Sequence, residues 1–299
     1  MYLPLIVMRH QKLLEQHVSR ARLGTLDVVW HVIDGGDIVD DAMLAGSVDI
    51  AGVGVPGFLM LWSKTSGIPQ GEMVGLAALS SGSLWLNTTN PAIGSLRDFA
   101  PDDLIAVPGN RASYAAVVLQ MAVSQVFGIE HHAQLNPLMV RMSNPDAMAA
   151  MLAGRSRIKA HLASPPFSYQ EAISGAVHSV FSTQALFGPM TTDVVFSPKR
   201  FVDANPGVIA AFLAAQRDAN CFIRERRREA AGIYLRFGKT IMTLDEVERV
   251  LADPETQFDQ TPTGIMTYVD FMASAGLIKT WPAGWTDLFV PAPQGRGGD

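Results

Sequence analysis

Backbone amides at three turns are the groups in this chain best placed to do chemistry, and the chemistry they suit is the holding of a small molecule. Each turn links a short apolar run to a helix-like one. Gly52-Val53-Gly54-Val55-Pro56-Gly57 follows Val48-Asp49-Ile50-Ala51, Pro108-Gly109-Asn110-Arg111-Ala112 follows Leu104-Ile105-Ala106-Val107, and Ser164-Pro165-Pro166-Phe167 follows a run from Ile158 to Ala163. Free N–H groups at a helix start point at whatever fills such a turn, and the helix dipole favours negative charge there. Ser113 and Arg111 stand at one of these starts, a pair suited to an anionic head group through charge-assisted hydrogen bonds.

Catalytic signatures are missing. No G-x-S-x-G elbow, no G-x-x-x-x-G-K-S/T phosphate loop and no H-E-x-x-H pair occurs. The carboxylate pairs Asp40-Asp41 and Asp102-Asp103 are sequence neighbours, a spacing that suits capping or solvation. His131 and His132 are adjacent, so their rings point apart in an extended segment and hold no metal between them; the expectation is a surface loop. His161 lies in a strand-like run, where a hydrogen-bonded structural histidine is expected. Cys221 is the single cysteine, which excludes an internal disulfide and any cysteine-built metal centre. No cofactor is expected.

Elements must carry these turns, and the sequence shows them through an internal echo. Ala42-Met43-Leu44-Ala45-Gly46 recurs as Ala150-Met151-Leu152-Ala153-Gly154, each copy followed by a strand-like run and a proline turn. Ser143-Asn144-Pro145 supplies a helix start, and Gly46 and Gly154 supply the left-handed residue that ends a helix. Ser113 to Phe127, stopped by Gly128, repeats the pattern. Helices alternating with short apolar strands predict an α/β chain with mainly parallel pairing. Long helices are predicted from Pro206, around Leu244 to Leu251, and over Pro262 to Ala275 with a stop at Gly276. The tail should lie over the first lobe on Trp281, Trp285 and Phe289 and fray at Gly295 to Gly298.

At 299 residues the chain is long for one core, so two lobes are expected. Ser80-Ser81-Gly82-Ser83-Leu84-Trp85-Leu86-Asn87 and the run Gly188 to Phe196 are read as two strands crossing between them. That places residues 1–87 and 190–299 in the first lobe and 88–189 in the second, with a hinge at the double crossing. A net charge of -5 gives no footprint for nucleic acid, and the basic run Arg224 to Arg228, interrupted by Glu225, is a solvated helix face. No apolar run is long enough to cross a bilayer. Met1 to Met8 lacks a basic flank and a cleavage site and is not read as a signal peptide.

Taken together, the stretches Asp41 to Pro56, Pro108 to Gln120, Asp146 to Phe167, and Gly188 to Phe196 followed by Asn205-Pro206 resemble the substrate-binding proteins of nitrate, sulfonate and taurine ABC transporters, a group that includes thiamine-pyrimidine-synthase-like proteins. The resemblance implies a two-lobed fold of the periplasmic-binding-protein type, closing a ligand cleft about its hinge, and a chain that binds rather than catalyses. It implies a membrane permease as partner, a monomer, and a periplasmic or membrane-anchored extracytoplasmic location. The family has a strand and an export signal or lipid anchor before the segment that starts here at Tyr2, and neither is present in this chain. Carried over by position, its ligand-binding loops fall on Tyr2, Leu3 and Pro4; Gly54, Val55 and Pro56; Ser80, Ser81 and Gly82; Arg111, Ala112 and Ser113; Ser164, Pro165 and Pro166; and Met190, Thr191 and Thr192, with Tyr2 and Phe167 as residues that stack on a ring or pack.

Two rivals share this design. A pyrimidine-precursor synthase, in the enzymes this family resembles, depends on a cysteine-rich motif, against which only Cys221 stands here. An effector-sensing domain of a regulator needs a DNA-binding helix pair, which residues 1–30 do not suggest.

Overall fold

Gly46 and Gly154 both sit at positive φ, +73° and +69°, and each ends a helix that is followed by a strand and a further helix. The echo is therefore real, and its two copies lie in different sheets. The computed structural model describes residues 1–33, 36–109, 113–154, 156–237 and 240–290.

One copy is α3 (Gly36–Leu44), β1 (Ala51–Gly54) and α4 (Val55–Thr65), and the chain continues into β2 (Met73–Ser81). The second lobe begins with β3 (Trp85–Thr88) and β4 (Leu104–Val107), then α5 (Tyr114–Phe127) and β5 (Met139–Arg141). It holds the other copy as α6 (Asn144–Leu152), β6 (Ile158–Ala163) and α7 (Phe167–Ile173), and ends with β7 (His178–Ser182) and α8 (Thr183–Phe187). The return strand is β8 (Thr191–Pro198). A three-stranded sheet runs β1-β8-β2 and a five-stranded sheet runs β5-β4-β6-β3-β7.

Three expectations need correction here. Pairing is mainly antiparallel, because β8 and β3 cross between lobes and run against their neighbours; only β4 pairs in parallel, with β5 and β6. The first strand is Ala51–Gly54 rather than Val48 to Ala51, since the ladder to β8 starts at Ala51 and the Asp49 carbonyl is taken by the Ser197 hydroxyl at 2.7 Å. Sheet membership changes between Ser81 and Trp85, so Trp85, Leu86 and Asn87 pair within the second sheet rather than belonging to the first lobe.

Helices close the first lobe. At the start of the chain, α1 (Leu3–Gln11) and α2 (Leu13–Arg20) bury Leu3, Val7, Met8, Leu13, Leu14 and Val18 in a core shared with α10 (Pro206–Glu225). A helix pair thus does occupy residues 1–30, but its apolar faces are used inside the fold. Beside these lie α9 (Lys199–Ala204), α11 (Arg227–Phe237), α12 (Leu244–Ala252) and α13 (Ile265–Ser274), with Gly276 at φ +68° just past the last. Arg226 and Arg228 pair with Glu229, Asp245 and Glu248 on an exposed surface, as expected of a solvated face. In the tail, Phe289 is buried and bridges to Gly75, while Trp281 is 57% exposed and anchors nothing; the predicted fraying at residues 295–298 falls outside the described residues.

One helix joins the two lobes. Every residue of α5 from Ala115 to Val123 is buried, the mark of a helix with apolar neighbours all round. Val117, Val118 and Met121 pack with α4 and α13 of the first lobe, and Ala116, Leu119 and Val123 pack with β4 and β6 of the second.

Candidate functional site

The Gly54 turn and the start of α5 at Tyr114 meet beside the first residues of β8. Register puts Gly54 of β1 and Ser80 of β2 on either side of Asp193, so these three residues form one row across the first sheet. Residues directly opposite in an antiparallel sheet face the same way. Gly54 leaves a notch in that row, and Tyr114, the first residue of α5, fills it: a Cβ on Gly54 would come within 2.8 Å of the Tyr114 Cβ. A side chain of the second lobe thus meets the backbone of the first.

Asp193 is the charged member of the row. Its carboxylate accepts from the Ser80 hydroxyl at 2.7 Å, with the Thr192 hydroxyl at 3.2 Å and the terminal ammonium of Met1 at 3.3 Å. The Tyr2 phenol lies within the field of this carboxylate, and the Tyr2 ring borders Gly52. Tyr2 is deeply surrounded by protein yet 42% exposed, as for a side chain lining an open crevice, so solvent screens part of this interaction. Burial raises the Tyr2 phenol well above its ordinary value, and the Asp193 charge adds to the shift. Tyr114 and Tyr268 are likewise raised by burial, with Asp193 contributing to both. Tyr268 donates to the Thr191 carbonyl at 3.1 Å.

Other expected residues take different places. Ser113 caps α5, accepting from the Ala116 amide, and commits its proton to the Pro108 carbonyl at 2.7 Å. Leu3, Val55, Pro56, Met190 and Thr191 are buried, so contact with a guest is left to their backbones. Thr191 lies opposite Ser81, and its hydroxyl accepts from the Thr263 amide at 3.0 Å. Pro165 is half-buried and faces Gly82 across the first crossing, 3.9 Å from where a Cβ would lie. Phe167 opens α7 and is half-buried. Arg111 and Ala112 lie outside the described residues.

Ser164 sits at the end of a buried chain of polar groups. His161 Nδ1 lies 2.5 Å from Glu171 Oε1, and His161 Nε2 lies 3.0 Å from Asn144 Oδ1, whose amide nitrogen donates to Ser164 at 3.4 Å. Asn87 donates to the second Glu171 oxygen at 2.9 Å. His161 is therefore the hydrogen-bonded core histidine expected. His132 bonds the Ile129 carbonyl at the surface, and no group of metal-ligating side chains occurs among the described residues.

Thr192 closes the loop expected at Met190 to Thr192, whereas Asp193, Tyr114 and Tyr268 were not singled out from the sequence. A charge directly before the apolar run Val194-Val195-Phe196 was the available signal for Asp193. A surface groove of about 760 Å³ lined by Met266, Asp270 and Trp281 lies on the outer side of α13, away from the row.

Two sheets joined by two crossings, with strand ends and a helix start meeting between them, define the class: this is the fold of the periplasmic solute-binding proteins. Among solved structures, the chain is similar to the aliphatic sulphonate-binding protein SsuA of Escherichia coli, with 16% identity, a TM-score of 0.71, and coverage of 99% of this chain and 91% of that one. The alkanesulfonate-binding SsuA of Xanthomonas axonopodis pv. citri, bound to MOPS, matches at 16% identity and a TM-score of 0.69, over 93% and 91% of the two chains. The nitrate-binding protein NrtA of Synechocystis PCC 6803 matches at 16% and 0.63, over 87% and 71%. No family model and no curated protein sequence matches.

Proposed function

We propose that this protein is the solute-binding component of an ABC uptake transporter and holds a small organic molecule between its lobes without transforming it. The observation that carries the reading is the meeting of Gly54, Ser80 and Asp193 of one lobe with Tyr114 of the other. Hydroxyls and backbone amides at strand ends suit the sulfonate or carboxylate end of such a molecule, and the surrounding tyrosines suit its apolar part. The fold similarity to sulfonate- and nitrate-binding proteins supports the same reading. Its partner is the transporter's membrane permease, it acts as a monomer outside the cytoplasm, and residues 1–84 and 191–290 act as one lobe against 85–190.

A thermal-shift screen over sulfonates, nitrate, carboxylates and pyrimidines tests this. A ligand present at a hundred times its dissociation constant adds about 2.7 kcal/mol to stability. The expected result is a rise in Tm with one chemical series and recovery of that compound unchanged after incubation. No shift with any series, or recovery of a converted product, overturns the reading.

A further inference from the structure

His161 on β6 and Glu171 on α7 are fully buried, and the binding of a solute as described so far makes no use of them. Among the described residues no other charged side chain pairs with either. Each polar atom of the two has a partner: Nδ1 meets Glu171 Oε1 at 2.5 Å, Nε2 meets Asn144 Oδ1 at 3.0 Å, and Glu171 Oε2 accepts from Asn87 at 2.9 Å.

Charge decides where the protons are. With a single proton between ring and carboxyl, on Nδ1, the pair would carry a net negative charge where solvent does not reach, a strongly disfavoured state. With two protons the pair is neutral. Whichever of Nδ1 and Oε1 then holds the shared proton, the other proton sits on Nε2. Nε2 therefore donates, and only the carbonyl end of the Asn144 amide can accept from it.

That orientation propagates outward. The Asn144 amide nitrogen is turned to Ser164 and donates to its hydroxyl oxygen at 3.4 Å, so the Ser164 proton cannot be given back to Asn144. No other group among the described residues accepts it. Ser164 is half-buried at the turn between β6 and α7, the turn whose Pro165 faces Gly82 across the first crossing.

Resting on the solute-binding reading above, we propose that Glu171, His161 and Asn144 are positioning residues that leave the Ser164 hydroxyl free to donate to the bound molecule, so that this turn takes an oxygen that accepts and cannot donate. Reversing the Asn144 amide would turn Ser164 into an acceptor and select the opposite chemistry.

Heteronuclear NMR of histidine-labelled protein, with no solute added, reads the proton directly. At neutral pH His161 Nε2 is expected to carry a proton. It should keep that proton in Glu171→Gln, whose side-chain amide can donate to Nδ1 and accept from Asn87, itself pinned by its bond to the Ser168 carbonyl. A bare Nε2 in either folded protein overturns the proposal, whatever the protein binds.

Calorimetry with ethanesulfonate and benzoate as probes reads the consequence. Ser164→Ala is expected to weaken the probe that binds by about tenfold, the scale of one hydrogen bond to a charged group. Asn144 is the first residue of α6, where a carboxylate suits the helix dipole, so Asn144→Asp should fold. Its second oxygen captures the Ser164 proton, and binding should weaken at least as much. Adding Ser164→Ala to Asn144→Asp should then weaken binding no further. Losses that add in the double variant, or no loss in Ser164→Ala, overturn the proposal and leave the solute-binding reading intact. If neither probe binds, the role given to Ser164 falls, and the wider screen decides the solute-binding reading.

Discussion

Glu171 accepts hydrogen bonds from His161 and Asn87 in a part of the second lobe that solvent does not reach, so two side chains from two strands depend on that one carboxylate. Removing it leaves His161 Nδ1 without its partner and Asn87 with only the longer bond to the Ser168 carbonyl at 3.3 Å. Glu171→Ala should therefore lose about 3 to 5 kcal/mol, the scale for breaking a buried pair, read as a lower midpoint in urea at unchanged slope. A loss under 1 kcal/mol would mean that water replaces the carboxylate. At this scale the sequence showed some things and hid others. His161 was legible because a histidine in an apolar strand needs a partner. Asp193 was not, because its neighbours Gly54 and Ser80 lie 139 and 113 positions away in the chain and only the strand register brings them beside it.

Elements carried their boundaries more openly than their pairing. Ser113, Ser143 and Thr243 each cap the helix that follows, and local hydrogen bonds of this kind are written in a few consecutive residues. Thr243 forms a capping box: the Glu246 carboxylate accepts from the Thr243 amide at 2.7 Å and from its hydroxyl at 2.9 Å. Those bonds hold the Glu246 carboxyl below its usual value. A depressed carboxyl contributes stability that is fully present above the unfolded value, 4.5, and lost as pH falls through the folded one. Thr243→Ala should cost about 1 kcal/mol at neutral pH and make the remaining stability less sensitive to acid below that value. An unchanged acid profile would show that the box does not hold in solution. Strand direction was misread for a reason of the same kind. Alternating helices and strands suggest parallel crossovers, but β3 and β8 are each contributed by a chain arriving from the other lobe, and that reversal leaves no local trace.

On the scale of the whole molecule, burial rather than sequence pattern ties the lobes together. The run Ala115 to Val123 looks like any apolar helix, and nothing local says that its two sides serve two cores. The five tyrosines report on the assembled fold, since all are raised above the ordinary phenol value of 10.0, Tyr234 to about 12 by burial alone. A raised phenol contributes stability that is intact below the unfolded value and lost as pH climbs toward the folded one. Absorbance near 295 nm should therefore stay flat through pH 10 and then rise together with loss of the circular dichroism signal; a titration centred on pH 10 in a folded protein would contradict the packing around Tyr2, Tyr114 and Tyr268.

The fold class and the hinge strands were legible because the echo and the turn residues are local; the identity of the groups that meet between the lobes was not, because it depends on register and on the placing of α5. A crystal structure of the protein with the compound that stabilises it most examines that meeting point directly. The account predicts density for the compound between Asp193 and Ser80 on one side and Tyr114 on the other. Density at the groove beside Trp281, or on any surface away from that row, would contradict it.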